Sequence, residues 1–178
     1  YILFVGRLNS RKNIQGLVRS LSLIDNKNIL LVIAGDRNWK QPAVDHLLAD
    51  ERIKDRILFT GPLSDDHLAA IYAMAKIFCF PSFAEGFGLP PLEAMSSGVP
   101  VIVSNTTSMP EVCGTAALFA DPHDPKNIAK KIDELLQNDE LCAQKILEGL
   151  KWSCQYTWRG CAEGIMKAIL SAVEIDVK

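Results

Sequence analysis

The chain has 178 residues, 48% of them hydrophobic and 22% charged, a balance that suits a globular protein long enough to bury a core. A formal net charge of -2 leaves no electrostatic footprint for nucleic acid, and no apolar run reaches the roughly 20 residues of a membrane-spanning helix. The five cysteines are scattered without a CxxC pair, so they offer neither a disulfide framework nor a metal-site spacing. With no secretory leader visible, the expectation is a cytoplasmic protein with free cysteines. Cys79 falls in an apolar strand, and Cys142, Cys154 and Cys161 fall in helical stretches, where burial is expected.

Tyr1-Ile2-Leu3-Phe4-Val5-Gly6 reads as a strand already under way, which suggests a piece cut near a domain boundary. Further short apolar runs, rich in β-branched and aromatic residues, follow at 29–34, 57–60, 77–80, 99–103 and 117–120. Helical patterns lie between and after them at 12–23, 42–49, 64–75, 91–97, 125–137, 140–151 and 158–173. Ser64 ahead of Asp65-Asp66, and Asp124 ahead of Pro125, mark helix starts. Continuous rather than alternating apolar strands indicate a parallel sheet covered on both faces. The strand–helix alternation then predicts an α/β, doubly wound, Rossmann-like parallel sheet of about six strands, with residues 1–178 as one domain.

Two segments carry chemistry. The first is Gly6-Arg7-Leu8-Asn9-Ser10-Arg11-Lys12-Asn13, which leaves the first strand and enters the first helix. Gly6 permits close backbone approach, and Arg7 and Lys12 supply a planar fork and a compact ammonium for diphosphate oxygens. Solvated loop cations are the plainer reading of that spacing. The second segment runs from Pro81-Ser82-Phe83 through Glu85-Gly86-Phe87-Gly88-Leu89-Pro90-Pro91 to Glu93-Ala94-Met95. It follows the fourth strand, at the end of an open sheet where ligands sit. With a helix starting near Pro90-Pro91, the N–H groups of Phe87, Gly88, Leu89 and Leu92 are free to bind phosphate. Glu93 then falls in the first turn, either to accept ribose hydroxyls or merely to favour the helix dipole. Glu85 stands nearer the strand end, where a sugar beyond the phosphates would lie. A nicotinamide fingerprint does not fit, because the third glycine position is Pro91 and the motif follows the wrong strand. No P-loop is present, and His46, His67 and His123 read as surface residues.

These residues closely resemble the C-terminal, donor-binding half of GT-B fold retaining glycosyltransferases of the glycogen synthase and mannosyltransferase-like group. The resemblance runs from Gly6-Arg7-Leu8 with Lys12, through Leu31–Gly35 and Phe59-Thr60-Gly61, to the Glu85-to-Glu93 element. It continues through Gly98-Val99-Pro100-Val101, Pro110-Glu111-Val112, Asp121-Pro122 and Tyr156-Thr157-Trp158. It implies transfer of a hexose, of mannose or glucose type, from a nucleotide diphosphate sugar to a glycan or lipid-linked acceptor. Donor-binding roles fall to Gly6, Arg7, Lys12, Leu63, Gly86, Phe87, Gly88, Leu89 and Glu93, with Glu85 as the catalytic candidate. Leu63 would wall the base pocket. The donor would be of GDP-mannose or UDP-glucose type, with no further cofactor and no metal. Front-face transfer is preferred over a covalent intermediate. The acceptor domain would be a missing N-terminal half, which would also make any membrane contact, so the chain alone is expected to bind donor weakly and transfer nothing.

The chain departs from the family pattern at Asn9-Ser10-Arg11, where Arg11 reads as a solvated cation, and at Asp36-Arg37-Asn38-Trp39, where Trp39 is expected to pack on the next helix rather than on a base. Two other readings are a GT-B nucleotide-sugar 2-epimerase and a noncatalytic nucleotide-sugar-binding module. The paired cations and both glutamates argue for transfer.

Overall fold

Six short apolar runs become the strands of one sheet: β1 (Ile2–Val5), β2 (Leu31–Ala34), β3 (Ile57–Gly61), β4 (Ile77–Phe80), β5 (Val101–Ser104) and β6 (Ala117–Ala120). In this computed structural model, which describes residues 1–36 and 42–176, they lie in the order β3-β2-β1-β4-β5-β6. Every neighbouring pair is parallel. The doubly wound Rossmann-like sheet expected from the alternation is therefore present. β5 begins after Pro100, which lacks the N–H a ladder needs.

The helices are α1 (Ile14–Leu23), α2 (Pro42–Leu48), α3 (Asp65–Ala73), α4 (Leu89–Ser96), α5 (Met109–Cys113), α6 (Pro125–Gln137), α7 (Asp139–Ser153) and α8 (Trp158–Asp176). The short α5 was not expected from the sequence, because five residues are too few for helical periodicity to show. α1 packs with α2 and α6, and α4 packs with α3 and α7, so helices cover both faces of the sheet. α6 turns Ile128, Ala129, Ile132 and Leu135 inward, the spacing of a single helical face.

The largest fully buried side chains of the core stand on β1 and β4. Phe4 stacks on Phe80 at 5.5 Å between ring centroids, and Phe80 on Phe78 at 5.9 Å, with all three rings fully buried. Each such side chain contributes roughly 1.5–3 kcal/mol through burial. α8 differs throughout. Its residues from Trp158 to Ala172 are exposed, Ile165, Met166, Ile169 and Leu170 among them. Cys161 on this helix and Cys154 at the end of α7 are exposed, contrary to the expected burial, while Cys79 and Cys113 are buried and Cys142 is half-buried.

Candidate functional site

The chain passes from β1 to β2 and β3 on one side, then returns to place β4 on the other side of β1. The crevice at the carboxyl ends of β1 and β4 is therefore the topological switch point, where doubly wound sheets take ligands. The register shows the crevice opening. β1 and β2 pair along four residues to Val5↔Ala34, whereas β1 and β4 pair only at Ile2↔Ile77 and Leu3↔Phe78. The turns beyond these strands remain tied together, because Phe83 N–H donates to the Arg11 carbonyl at 2.8 Å. On the β2 side, Gly35 has a φ of +140°, and a Cβ there would stand 2.1 Å from the Gly6 carbonyl oxygen. Only glycine lets the second strand end against the first turn.

The first turn is not the helix start that the sequence suggested. Ser10–Lys12 form one 3-10 turn, and α1 begins only after Asn13. Asn13 adopts a left-handed conformation (φ 54°, ψ 40°), which asparagine tolerates better than most residues. The break has a use. Asn13 Oδ1 accepts from Gly16 N–H, capping α1, while Nδ2 donates to the carbonyls of Pro81 and Pro122 at 3.0 and 2.6 Å. One buried amide thus joins the loops after β1, β4 and β6.

The same turn swings Lys12 inward. Its ammonium lies 4.5 Å from the centre of the Phe80 ring and 2.8 Å from Glu85 Oε1. Both side chains are largely withdrawn from solvent, at 11% and 7% exposure. A lysine carries three donors, so those not used on Glu85 remain for another oxygen ligand. Arg11 is not simply solvated, since its Nη1 stands 3.7 Å from Glu85 Oε2 with the side chain half exposed. Arg7 is exposed, and its guanidinium meets no carboxylate among the described residues.

Glu85 is fixed by its backbone as well. Its N–H donates to Thr107 Oγ1 at 3.0 Å, and its carbonyl accepts from Ser108 Oγ, which also reaches the Phe87 carbonyl at 3.0 Å. Thr106 Oγ1 donates to the Phe83 carbonyl at 3.1 Å. The β5–α5 loop is therefore a hydroxyl scaffold for the glycine turn. The sequence did not single out these three residues, although the polar run Ser104-Asn105-Thr106-Thr107-Ser108 at a strand end was a usable signal, and it placed Asn13 in the first turn without a role.

The helix after the glycine turn starts at Leu89, two residues before the expected Pro91, with Gly88 as its cap at φ 109°. This changes two details. The Gly88 carbonyl accepts the first helical bond from Leu92 N–H, so Leu92 leaves the set of free donors. Glu93 lies in the second turn, not the first, so stabilising the helix dipole does not explain it. The N–H groups of Gly86, Phe87, Gly88 and Leu89 donate to no acceptor among the described residues. Pro90 and Pro91 occupy positions where an N–H would also have been free. The exposed Glu93 accepts a hydrogen bond from Tyr72 at 2.8 Å.

A groove of about 620 Å³ lies beside this cradle, lined by Phe87, Leu89, Glu93, Tyr156, Trp158 and Cys161 among others. Arg7, Lys12 and Glu85 stand outside it. A second concavity of about 600 Å³, between α1 and α6, shares no residue with the candidate site. Leu63 is half-buried after edge strand β3, on the far side of β2 from the cations, so it is not brought together with them. His46, His67 and His123 are exposed as expected, though His123 stacks on Phe83 at 4.9 Å. Trp39, Arg37 and Asn38 lie outside the described residues.

An all-parallel sheet with a splayed switch point and helices on both faces is a Rossmann-like architecture, and here it is that of one half of a GT-B glycosyltransferase. The solved structure of sucrose-phosphate synthase from Thermosynechococcus elongatus matches with a TM-score of 0.84 at 25% identity, over 97% of this chain and 45% of that one. Residues 1–152 match the family model of glycosyl transferases group 1, and the chain belongs to that family. It is 39% identical to O-antigen chain mannosyltransferase B of Escherichia coli over 171 residues, 94% of this chain and 45% of that protein. It is also 34% identical to a serotype-specific mannosyltransferase of Escherichia coli, over 99% of this chain and 23% of that protein. The chain thus spans less than half the length of these relatives. Among the described residues, no helix is long and apolar enough to cross a membrane.

Proposed function

We propose that this domain binds a nucleotide diphosphate sugar at the β1–β4 crevice and supplies the donor side of a retaining hexosyl transfer. The observation that carries this reading is the Lys12–Glu85 pair beside four backbone N–H groups that no acceptor among the described residues engages, at the switch point of the sheet. Arg7 and the free donors of Lys12 face the diphosphate, and the N–H groups of Gly86, Phe87, Gly88 and Leu89 take phosphate or sugar oxygens. As the sugar–phosphate bond breaks, negative charge grows on the leaving diphosphate, and Lys12, already fixed in a partly dry site, stabilises it without reorganising. Glu85 lies at the sugar end. Its bond to Lys12 makes the sugar-side carboxylate and the phosphate-side ammonium one unit, a coupling that separate roles for the two residues did not anticipate. Glu93 accepts the ribose hydroxyls, and Leu63 borders the base.

Mannose is the preferred sugar, supported by the mannosyltransferases among the relatives, with a donor of GDP-mannose type ahead of UDP-glucose. The relatives' additional length supports an N-terminal acceptor domain as the partner. Front-face displacement, in which the leaving phosphate takes the acceptor proton, is the mechanism we favour. Titration calorimetry of the chain against GDP-mannose, UDP-glucose and their free nucleoside diphosphates tests the binding. Saturable binding of at least one donor is expected, and a folded chain that takes none of the panel would refute the assignment.

A further inference from the structure

We infer that Tyr72 is a positioning residue: its hydroxyl holds one oxygen of Glu93 so that the other is presented, in a fixed orientation, to the hydroxyls of the donor ribose. The inference rests on the proposed role of Glu93. Tyr72 lies near the end of α3 and is only 3% exposed, with its ring 5.6 Å from that of Phe78 on β4. The ring belongs to the core, and its one polar atom reaches the edge of the site, donating to Glu93 Oε2 at 2.8 Å.

Three features turn that contact into a device for orientation. First, the hydroxyl can only donate to a carboxylate, because burial and the neighbouring negative charge of Glu93 push the Tyr72 phenol far above its ordinary range. The direction of the bond is therefore fixed wherever Glu93 is a carboxylate. Second, Glu93 is an exposed side chain on α4 and forms no ion pair among the described residues. Without Tyr72 it would lose more rotamer freedom on meeting a ligand. Third, a carboxylate has about four acceptor positions, and Tyr72 occupies one of them. Oε1 and the remaining position on Oε2 can accept the two O–H groups of a cis-diol.

A purely structural tyrosine would affect all ligands alike, whereas a positioning tyrosine affects only those that carry the diol. The test measures binding of GDP and UDP, each against its 2′-deoxy form, to the chain and to its Tyr72→Phe, Glu93→Ala and doubly substituted variants. The wild-type chain should prefer the ribose form, and Glu93→Ala should abolish that preference. Tyr72→Phe should reduce it about threefold to tenfold, in line with the net contribution of one ordinary hydrogen bond, and leave deoxy binding unchanged. In the Glu93→Ala background the phenylalanine should have no further effect. Tyr72→Met, which also lacks the hydroxyl and adapts to the core, serves if the phenylalanine variant does not fold. A full wild-type preference in a folded Tyr72 variant, with none in Glu93→Ala, would overturn the role of Tyr72 alone. A preference that survives Glu93→Ala, or is absent from the wild type, would overturn the role of Glu93 and that of Tyr72 with it.

Discussion

The two glutamates of the glycine-turn segment are the same residue type in opposite environments. Glu85 is 7% exposed, bonded to Lys12 at 2.8 Å and approached by Arg11 at 3.7 Å, in a loop held by the hydroxyls of Thr106, Thr107 and Ser108. Glu93 is exposed on a helix, held by the neutral hydroxyl of Tyr72, and borders an open groove. The difference shows how one motif can serve two purposes. A carboxylate closed in with cations is part of a preorganised charge assembly, whereas one held at a single oxygen remains an acceptor for a ligand.

This contrast should appear in stability before it appears in activity. Glu85→Gln leaves Lys12 without its counter-charge in a nearly closed setting, and the variant should lose roughly 3 kcal/mol, the low end for breaking a buried pair. Urea denaturation measures it. Glu93→Gln, in the exposed helix position, should change stability by no more than about 0.5 kcal/mol in the same assay. Equal losses from the two variants would erase the distinction. In a transferring preparation, Glu85→Gln should also slow turnover by about 100-fold or more.

The cysteines sharpen the same comparison with a smaller perturbation. Cys79 lies in β4 beneath the Glu85 end, and Cys161 lines the groove at the Glu93 end. Burial pushes the Cys79 thiol up, and pushes that of Cys113 up to about 12. A thiol whose pKa is raised in the folded state stays protonated, and so unreactive, until the pH approaches that raised value. Iodoacetamide at pH 7 to 9 should therefore modify Cys161 and Cys154 in the native chain. Cys79 and Cys113 should react only after unfolding, as read by mass spectrometry. Native labelling of Cys79 would mean that the closed end is open.

Much of the frame was legible in the residues. Ile2–Val5, Ile77–Phe80 and their counterparts are continuous apolar runs with a single structural solution once helices alternate with them, so the sheet followed from pattern alone. The cation-bearing turn and the glycine loop were legible because glycine, proline and charged residues mark strand ends. What the sequence hid was pairing across distance. Nothing local announces that Lys12 meets a residue 73 positions later, that Asn13 ties three loops, or that the Tyr72 hydroxyl ends at Glu93. The helix start was misplaced by two residues because Pro90 and Pro91 fit the first turn at several positions, and only the Gly88 backbone fixes which. α8 was legible as a helix, but its periodicity could not show that Ile165, Met166, Ile169 and Leu170 are exposed.

In the proposed function, the crevice between β1 and β4 holds a nucleotide diphosphate through cations on the first turn. Arg7 tests it most directly, because it is exposed and meets no carboxylate among the described residues, so its removal should not disturb the fold. Calorimetric titration of GDP and UDP into the wild-type chain and Arg7→Ala, with the melting temperatures compared, is the measurement. Affinity should fall at least tenfold, about 1.4 kcal/mol or more, at an unchanged melting temperature. Equal affinity in the two proteins would contradict it.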